Sequence, residues 1–277
     1  MIISLISVNI YKNLVIYMKK FKNITNIIYP AIFFIVLLLV WEGLSRFGAV
    51  PVFILPSPTR IIYSLFVNFP SMGIHILITL YETVLGFIIA IVISIIAALA
   101  MDSISPVKKV LYPLLIASQT IPIIILAPLF IIWFGYGYLP KIIIVVLICF
   151  FPITISLLQG FASVDKELLD LLRSMNAKKL QVYKIVKFPS AMPSFFSGLK
   201  IAATYSIMGA TIGEWVGGKN GLGVYMIRAK FSFATDRVFA AIIVITILSI
   251  LLLKIIDLIE NHYMPWLKIS KEEYLED

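Results

Sequence analysis

The sequence predicts an all-α integral membrane protein, and three observations carry that prediction. The 277 residues are 61% hydrophobic, and mean hydropathy is +1.04. Only 13% are charged, where a water-soluble domain carries roughly 25%. Finally, runs such as AIFFIVLLLVW (31–41) and GFIIAIVISIIAALAM (86–101) contain no charge at all and read as segments in lipid.

Taken in order, residues 1–27 mix lysines with apolar side chains but lack an apolar core followed by a small-residue cleavage site. They read as an amphipathic cytoplasmic lead-in rather than a signal peptide. Six stretches then meet the requirement of about 20 mainly apolar residues per crossing, at about 28–47, 75–101, 107–134, 139–161, 194–216 and 237–260. Residues 28–260 thus form one transmembrane domain, and 261–277 a cytoplasmic tail. The third stretch holds Pro113, Pro122 and Pro128, so a kink or break is expected there.

Lysine and arginine set the orientation. With both termini inside, cytoplasmic segments hold 16 of the 23 basic residues. That bias favours a cytoplasmic start and end. The formal net charge of +9 therefore belongs to loops at the membrane and gives no signal for nucleic acid. The single cysteine, Cys149, lies in an apolar run, which excludes a disulfide framework or a cysteine-based metal site within one chain.

GEWVGGKNGLG (213–223) resembles a phosphate-binding loop, since Gly213, four residues and Gly218-Lys219 keep its spacing. Asn220 replaces the hydroxyl that would hold magnesium, no strand precedes it, and the topology puts Lys219 outside. The glycines are read instead as a tight turn at a helix end.

The loop of residues 163–193 has the pattern of built structure. Ser163 is placed to cap a helix, Asp165 and Glu167 suit its first turn, and Arg173 its last. Val164, Leu168, Leu171, Leu172 and Met175 recur at helical spacing, and Asn176 marks the stop. A second short helix, 178–188, is expected to end at Pro189. The first helix suits either headgroups or a groove on a cytoplasmic partner.

Span five carries Gly198, Ala202, Ser206 and Ala210 every four residues, with Gly209 and Gly213 as a GxxxG pair. Small residues allow close helix approach in lipid, within one subunit or between two. Glu42, His75, Glu82 and Glu214 are costly in hydrocarbon and should face an interior, a cavity or an interface. Glu214 is the candidate to line a pathway, against a headgroup-level pairing with Lys219 or Arg228. No array suited to catalysis or to a metal is legible, and the chain has two histidines.

Asp170-Leu171-Leu172, three residues, Asn176, nine residues, then Val186-Lys187-Phe188-Pro189 is similar to the cytoplasmic signature of ABC importer permeases. That signature runs Glu-Ala-Ala, three residues, Gly, nine residues, Ile-x-Leu-Pro. PLLIASQTIPIIILAPLFIIWFGYG (113–137), LPSP (55–58), GLG (221–223) and TDRVFA (235–240) also resemble the permeases for sulfonates, taurine, nitrate and thiamine precursors. The likeness spans about residues 30–265. It implies the type I importer architecture of the methionine-importer kind, with Val164–Met175 as the coupling helix. Val164, Asp165, Leu168, Asp170, Leu171, Leu172, Met175, Asn176 and Pro189 would then serve ATPase coupling. The implied partners are cytoplasmic ATPase subunits carrying ATP and magnesium, an extracytoplasmic binding protein, and a second permease copy in the bilayer. This chain itself would hold no cofactor. The favoured cargo is a thiamine pyrimidine precursor or riboflavin, then a sulfonate or nitrate type. An ion-coupled secondary transporter is the alternative, although no internal repeat supports it.

Overall fold

The structure, a computed structural model, describes residues 28–48 and 50–265. The lead-in expected at 1–27 and the tail from residue 266 onward lie outside the described residues. Every described element is helical. α1 (Ile28–Arg46) is followed by α2 (Pro58–Ser103), α3 (Ser105–Gln119), α4 (Ile123–Phe134) and α5 (Leu139–Ala162). After α6 (Lys166–Ser174) and α7 (Lys179–Val182) come α8 (Phe188–Gly217), α9 (Leu222–Phe231) and α10 (Thr235–Tyr263).

Among these, α1, α2, α5 and α10 have the length and hydropathy to cross a bilayer, and α3 with α4 makes a fifth if the bent pair is one span. α8 is 30 residues long but is not among them. Its Gly, Ala, Ser and Thr content lowers its hydropathy while suiting it to close packing.

The expected break is there: α3 and α4 meet at 103°. Thr120 closes the last turn of α3 onto Ala117 O, and Pro122, with no N–H to give, precedes α4. α2 differs from its expected span. It starts at Pro58 rather than near residue 75 and runs 46 residues, about 69 Å at 1.5 Å per residue. Ser57 Oγ accepts from Arg60 N, and Pro58 fits the first turn, so the helix starts well before its apolar stretch.

The interior is built around α5 and α8, the most extensively packed pair, with α2 packed against both. The small-residue face of α8 is what closes that gap. Gly198, Ala202, Ser206, Gly209, Ala210 and Gly213 are all buried. A Cβ on Gly198 would meet Ser156 Cβ at 2.7 Å and Pro152 O at 2.8 Å; one on Gly209 would meet Ile148 Cδ1 at 2.8 Å. These neighbours belong to α5, so the stripe packs within one chain. Gly86 serves likewise from α2, where a Cβ would meet Val145 at 2.6 Å.

α1 lies apart. Its residues are almost all exposed, and Trp41 anchors it by donating to Pro56 O (3.0 Å) and packing on Phe239 of α10. Glu42, near the end of α1, accepts from Thr59 N (3.1 Å) and Thr59 Oγ1 (2.7 Å) and from Arg46 (2.7 Å), all in exposed hydrogen bonds.

Candidate functional site

Two constellations lie at opposite ends of α5 and α8. At one end is α6. Its side-chain cap is Asp165, whose carboxylate accepts from Glu167 N at 2.9 Å. Ser163, the expected cap, instead closes α5, with its Oγ donating to Gly160 O. The helix is therefore nine residues long, shorter than the expected Val164–Met175, because a carboxylate at 165 satisfies an orphan N–H of the first turn, that of Glu167. Val164 drops out of the stripe and is buried at the end of α5.

The stop at Asn176 is as the sequence indicates. Asn176 has φ 54°; its N–H donates to Arg173 O (2.9 Å), and Ala177 N–H donates to Leu172 O (3.0 Å). These are the two bonds of a Schellman motif, and an asparagine tolerates its left-handed position. No residue of α6 is buried. Leu168, Leu171 and Met175 are 47%, 59% and 69% exposed, and Leu172 is half-buried. Asp170 pairs with Arg173 along the helix (3.0 Å). The result is a locally capped helix whose apolar stripe is left open at Leu168, Leu171 and Met175 among the described residues.

The second short helix does not end at Pro189. α7 passes through a π turn, Tyr183–Lys187, and continues into α8 with Pro189 at its start. Phe188 N–H reaches back to Tyr183 O, the longer π-type bond. This wider turn lets the helix run on where a proline ring would strike the i−4 carbonyl of a regular one.

At the other end lies α9, whose start is held by side chains of two other helices. Gly221 N–H donates to His75 Nδ1 (2.9 Å), Leu222 N–H to Thr79 Oγ1 (2.9 Å) and Gly223 N–H to Glu214 Oε2 (2.6 Å). Thr79 Oγ1 in turn donates to Glu214 Oε1 (2.6 Å). Three orphan N–H groups of a helix start are thus satisfied by α2 and α8, with a carboxylate placed where the helix dipole favours it. The GLG run is required by this closeness. Gly221 has φ +124°, and a Cβ there would overlap the Glu214 carboxylate. Leu222 between them is fully buried. The phosphate-loop likeness thus ends in an internal cap: Gly213 to Gly217 are the last turn of α8, not a loop after a strand.

Sequence reasoning missed the buried ion pair beside this junction. Lys141, near the start of α5, is 4% exposed and bonds Glu82 Oε1 at 2.5 Å. Glu82 is fully buried and its Oε2 has no partner among the described residues. The only signal in the sequence was the cost of a carboxylate in an apolar helix, which implies a cation without saying which. Glu214 is 1% exposed and pairs with neither Lys219 nor Arg228; Arg228 donates to Lys219 O instead. A cleft of about 200 Å³ beside it is lined by Tyr136, Tyr138, Lys141, Lys219 and Asn220 among others, but not by Glu214.

The chain resembles known proteins over most of its length. Residues 90–269 match the family described as binding-protein-dependent transport system inner membrane component. The formylaminopyrimidine transport permease protein ThiX of Halalkalibacterium halodurans is 38% identical over 240 residues, covering 86% of this chain and 96% of that one. The riboflavin transport system permease protein RibX of Chloroflexus aurantiacus is 32% identical, covering 83% and 87%. Among solved structures, a chain of an amino acid ABC transporter with histidines is similar with a TM-score of 0.61 and 17% identity, over 72% of this chain and 97% of that one. The MetNI methionine ABC transporter in its inward-facing conformations gives 0.55 and 18%, over 70% and 97%. The fold is that of the type I importer permeases, and the chain belongs to the family of binding-protein-dependent transport system inner membrane components.

Proposed function

We propose that this permease carries a small nutrient inward, driven by cytoplasmic ATPase subunits that dock on α6. The carrying observation is the state of α6: capped at both ends, projecting from the bundle, and showing Leu168, Leu171 and Met175 to no covering surface among the described residues. An amphipathic helix of this kind suits a partner's groove. On this reading the α6 end faces the cytoplasm, as do both termini, and the α9 end faces the binding protein that delivers cargo. ATP and magnesium belong to the partner, and two copies of the permease flank the path.

The names of two relatives support the cargo class. One is a formylaminopyrimidine permease and another a riboflavin permease, so a nitrogen heterocycle of vitamin metabolism is the proposed cargo. The test is purification of the tagged chain from its native membrane in mild detergent. The unaltered chain should bring down an ATPase at one copy per permease; Leu168→Asp/Leu172→Asp should insert normally and lose it. A chain that carries no ATPase yet transports under an ion gradient would overturn the proposal in favour of a secondary transporter.

A further inference from the structure

The coupling reading leaves a mechanical question. α6 touches the bundle so lightly that something else must carry its displacement inward. Its upstream connection is the short turn at Val164. Its downstream connection, α7 and the π turn, passes over the end of α2. There Asp102, next to the last residue of α2, meets two side chains of the π turn at once. Lys187 Nζ bonds Asp102 Oδ2 at 2.5 Å, and the Tyr183 hydroxyl donates to the same oxygen. Ser103 Oγ lies 2.8 Å from that hydroxyl, and Lys187 Nζ sits 4.9 Å from the centre of the Tyr183 ring. The pair is mostly shielded, with Lys187 16% and Asp102 14% exposed.

Beneath it the Tyr183 ring packs edge-on to Phe161 of α5, with centres 5.7 Å apart, and Phe161 packs likewise on Phe188 of α8 at 5.5 Å. Both rings rest on an apolar cluster of Met101 (α2), Leu115 (α3), Leu157 and Phe161 (α5) and Ala191 (α8). Burial, and next the bond to Asp102, push the Tyr183 phenol up to about 12, so the hydroxyl remains a donor at physiological pH. Ile104 follows directly as the extended corner between α2 and α3, so this site is also the elbow from which the broken α3–α4 span departs.

The geometry points to Asp102 as a positioning residue that latches the π turn to the α2–α3 elbow and so carries movement of α6 into the broken span. This rests on the ATPase-docking reading. A π turn is a deformable point in a helix, and without a tie beyond it, displacement of α6 would be absorbed there. With the tie, α6 and the start of α3 move as one body.

The test places spin labels at Lys166→Cys, on the face of α6 away from its apolar stripe, and at Lys109→Cys in α3. Cys149 is fully buried and stays in place. Distances are measured on the complex purified with its ATPase, with no nucleotide and after trapping with ATP, magnesium and vanadate. The unaltered latch should give one narrow distance that trapping does not change. Asp102→Asn and Tyr183→Phe should let trapping shift that distance by about 5 Å or split it, the size of a one-turn slip. Asp102→Lys/Lys187→Asp should restore the narrow distance, which a purely packing role would not do. Asp102→Asn and Tyr183→Phe proteins with the unaltered distance in both states would overturn the latch alone. Failure of the unaltered chain to bring down any ATPase would overturn the docking reading and the latch with it.

Discussion

The two ends of α8 present the same problem, a short helix beside a long one, with opposite solutions. α6 is capped by its own neighbours: Asp165 at the start and the Asn176 turn at the end, with every bond local. α9 is capped from afar, by His75 and Thr79 on α2 and Glu214 on α8, at sequence separations of 146, 143 and 9 residues. One helix therefore takes both of its caps from its own stretch of sequence. The other exists only because the bundle is assembled around it. A locally specified, exposed helix suits a surface that must meet a second protein, and a remotely specified, buried one suits a joint that must stay closed.

The contrast can be broken from the buried end with the largest effect. Lys141→Met strands the Glu82 carboxylate and should destabilise the protein by about 3–5 kcal/mol, read as thermal unfolding in detergent; adding Glu82→Gln should recover most of it. If Lys141→Met were neutral, the pair would contribute nothing to the joint. Gly221→Ala forces an L residue to φ +124° and into the Glu214 carboxylate, costing at least about 2 kcal/mol. Thr79→Val removes the donor to Glu214 and the acceptor for Leu222 N–H, at about 1–3 kcal/mol. Its signature should be faster hydrogen exchange at the start of α9.

Substitutions at the α6 end should be smaller and stay local. Asp165→Ala should cost about 1 kcal/mol of helix stability. Asn176→Ala should cost a similar amount, about 1–2 kcal/mol, through its left-handed φ. Asn176→Gly should cost nothing. Hydrogen exchange confined to α6, with an unchanged unfolding temperature for the bundle, would sharpen the contrast. Global unfolding from either change would erase it.

How much of this was legible beforehand follows the same division. The membrane setting, the all-α class, a break somewhere among Pro113, Pro122 and Pro128, the stop at Asn176 and the apolar stripe on α6 are fixed by composition, period and a few local residues. These act within a turn or two of themselves, so a linear reading finds them. The small-residue face of α8 was legible as a tight contact, since Gly and Ala at every fourth position mean close approach whatever lies opposite. Its partner, α5, was not. Nor was the early start of α2 at Pro58, because a polar or mixed helical segment has no apolar period to announce it.

What only the tertiary structure decided is pairing across distance. Lys141 meets Glu82, Asp102 meets Lys187 and Tyr183, and Glu214 turns inward to hold Gly223. An ionisable residue in an apolar stretch announces that it needs a partner, since the desolvation cost is set by its own chemistry. Which partner it finds depends on how helices with interchangeable apolar faces are arranged around it. That arrangement is fixed by the summed packing of the whole bundle, a property no short stretch of the sequence carries.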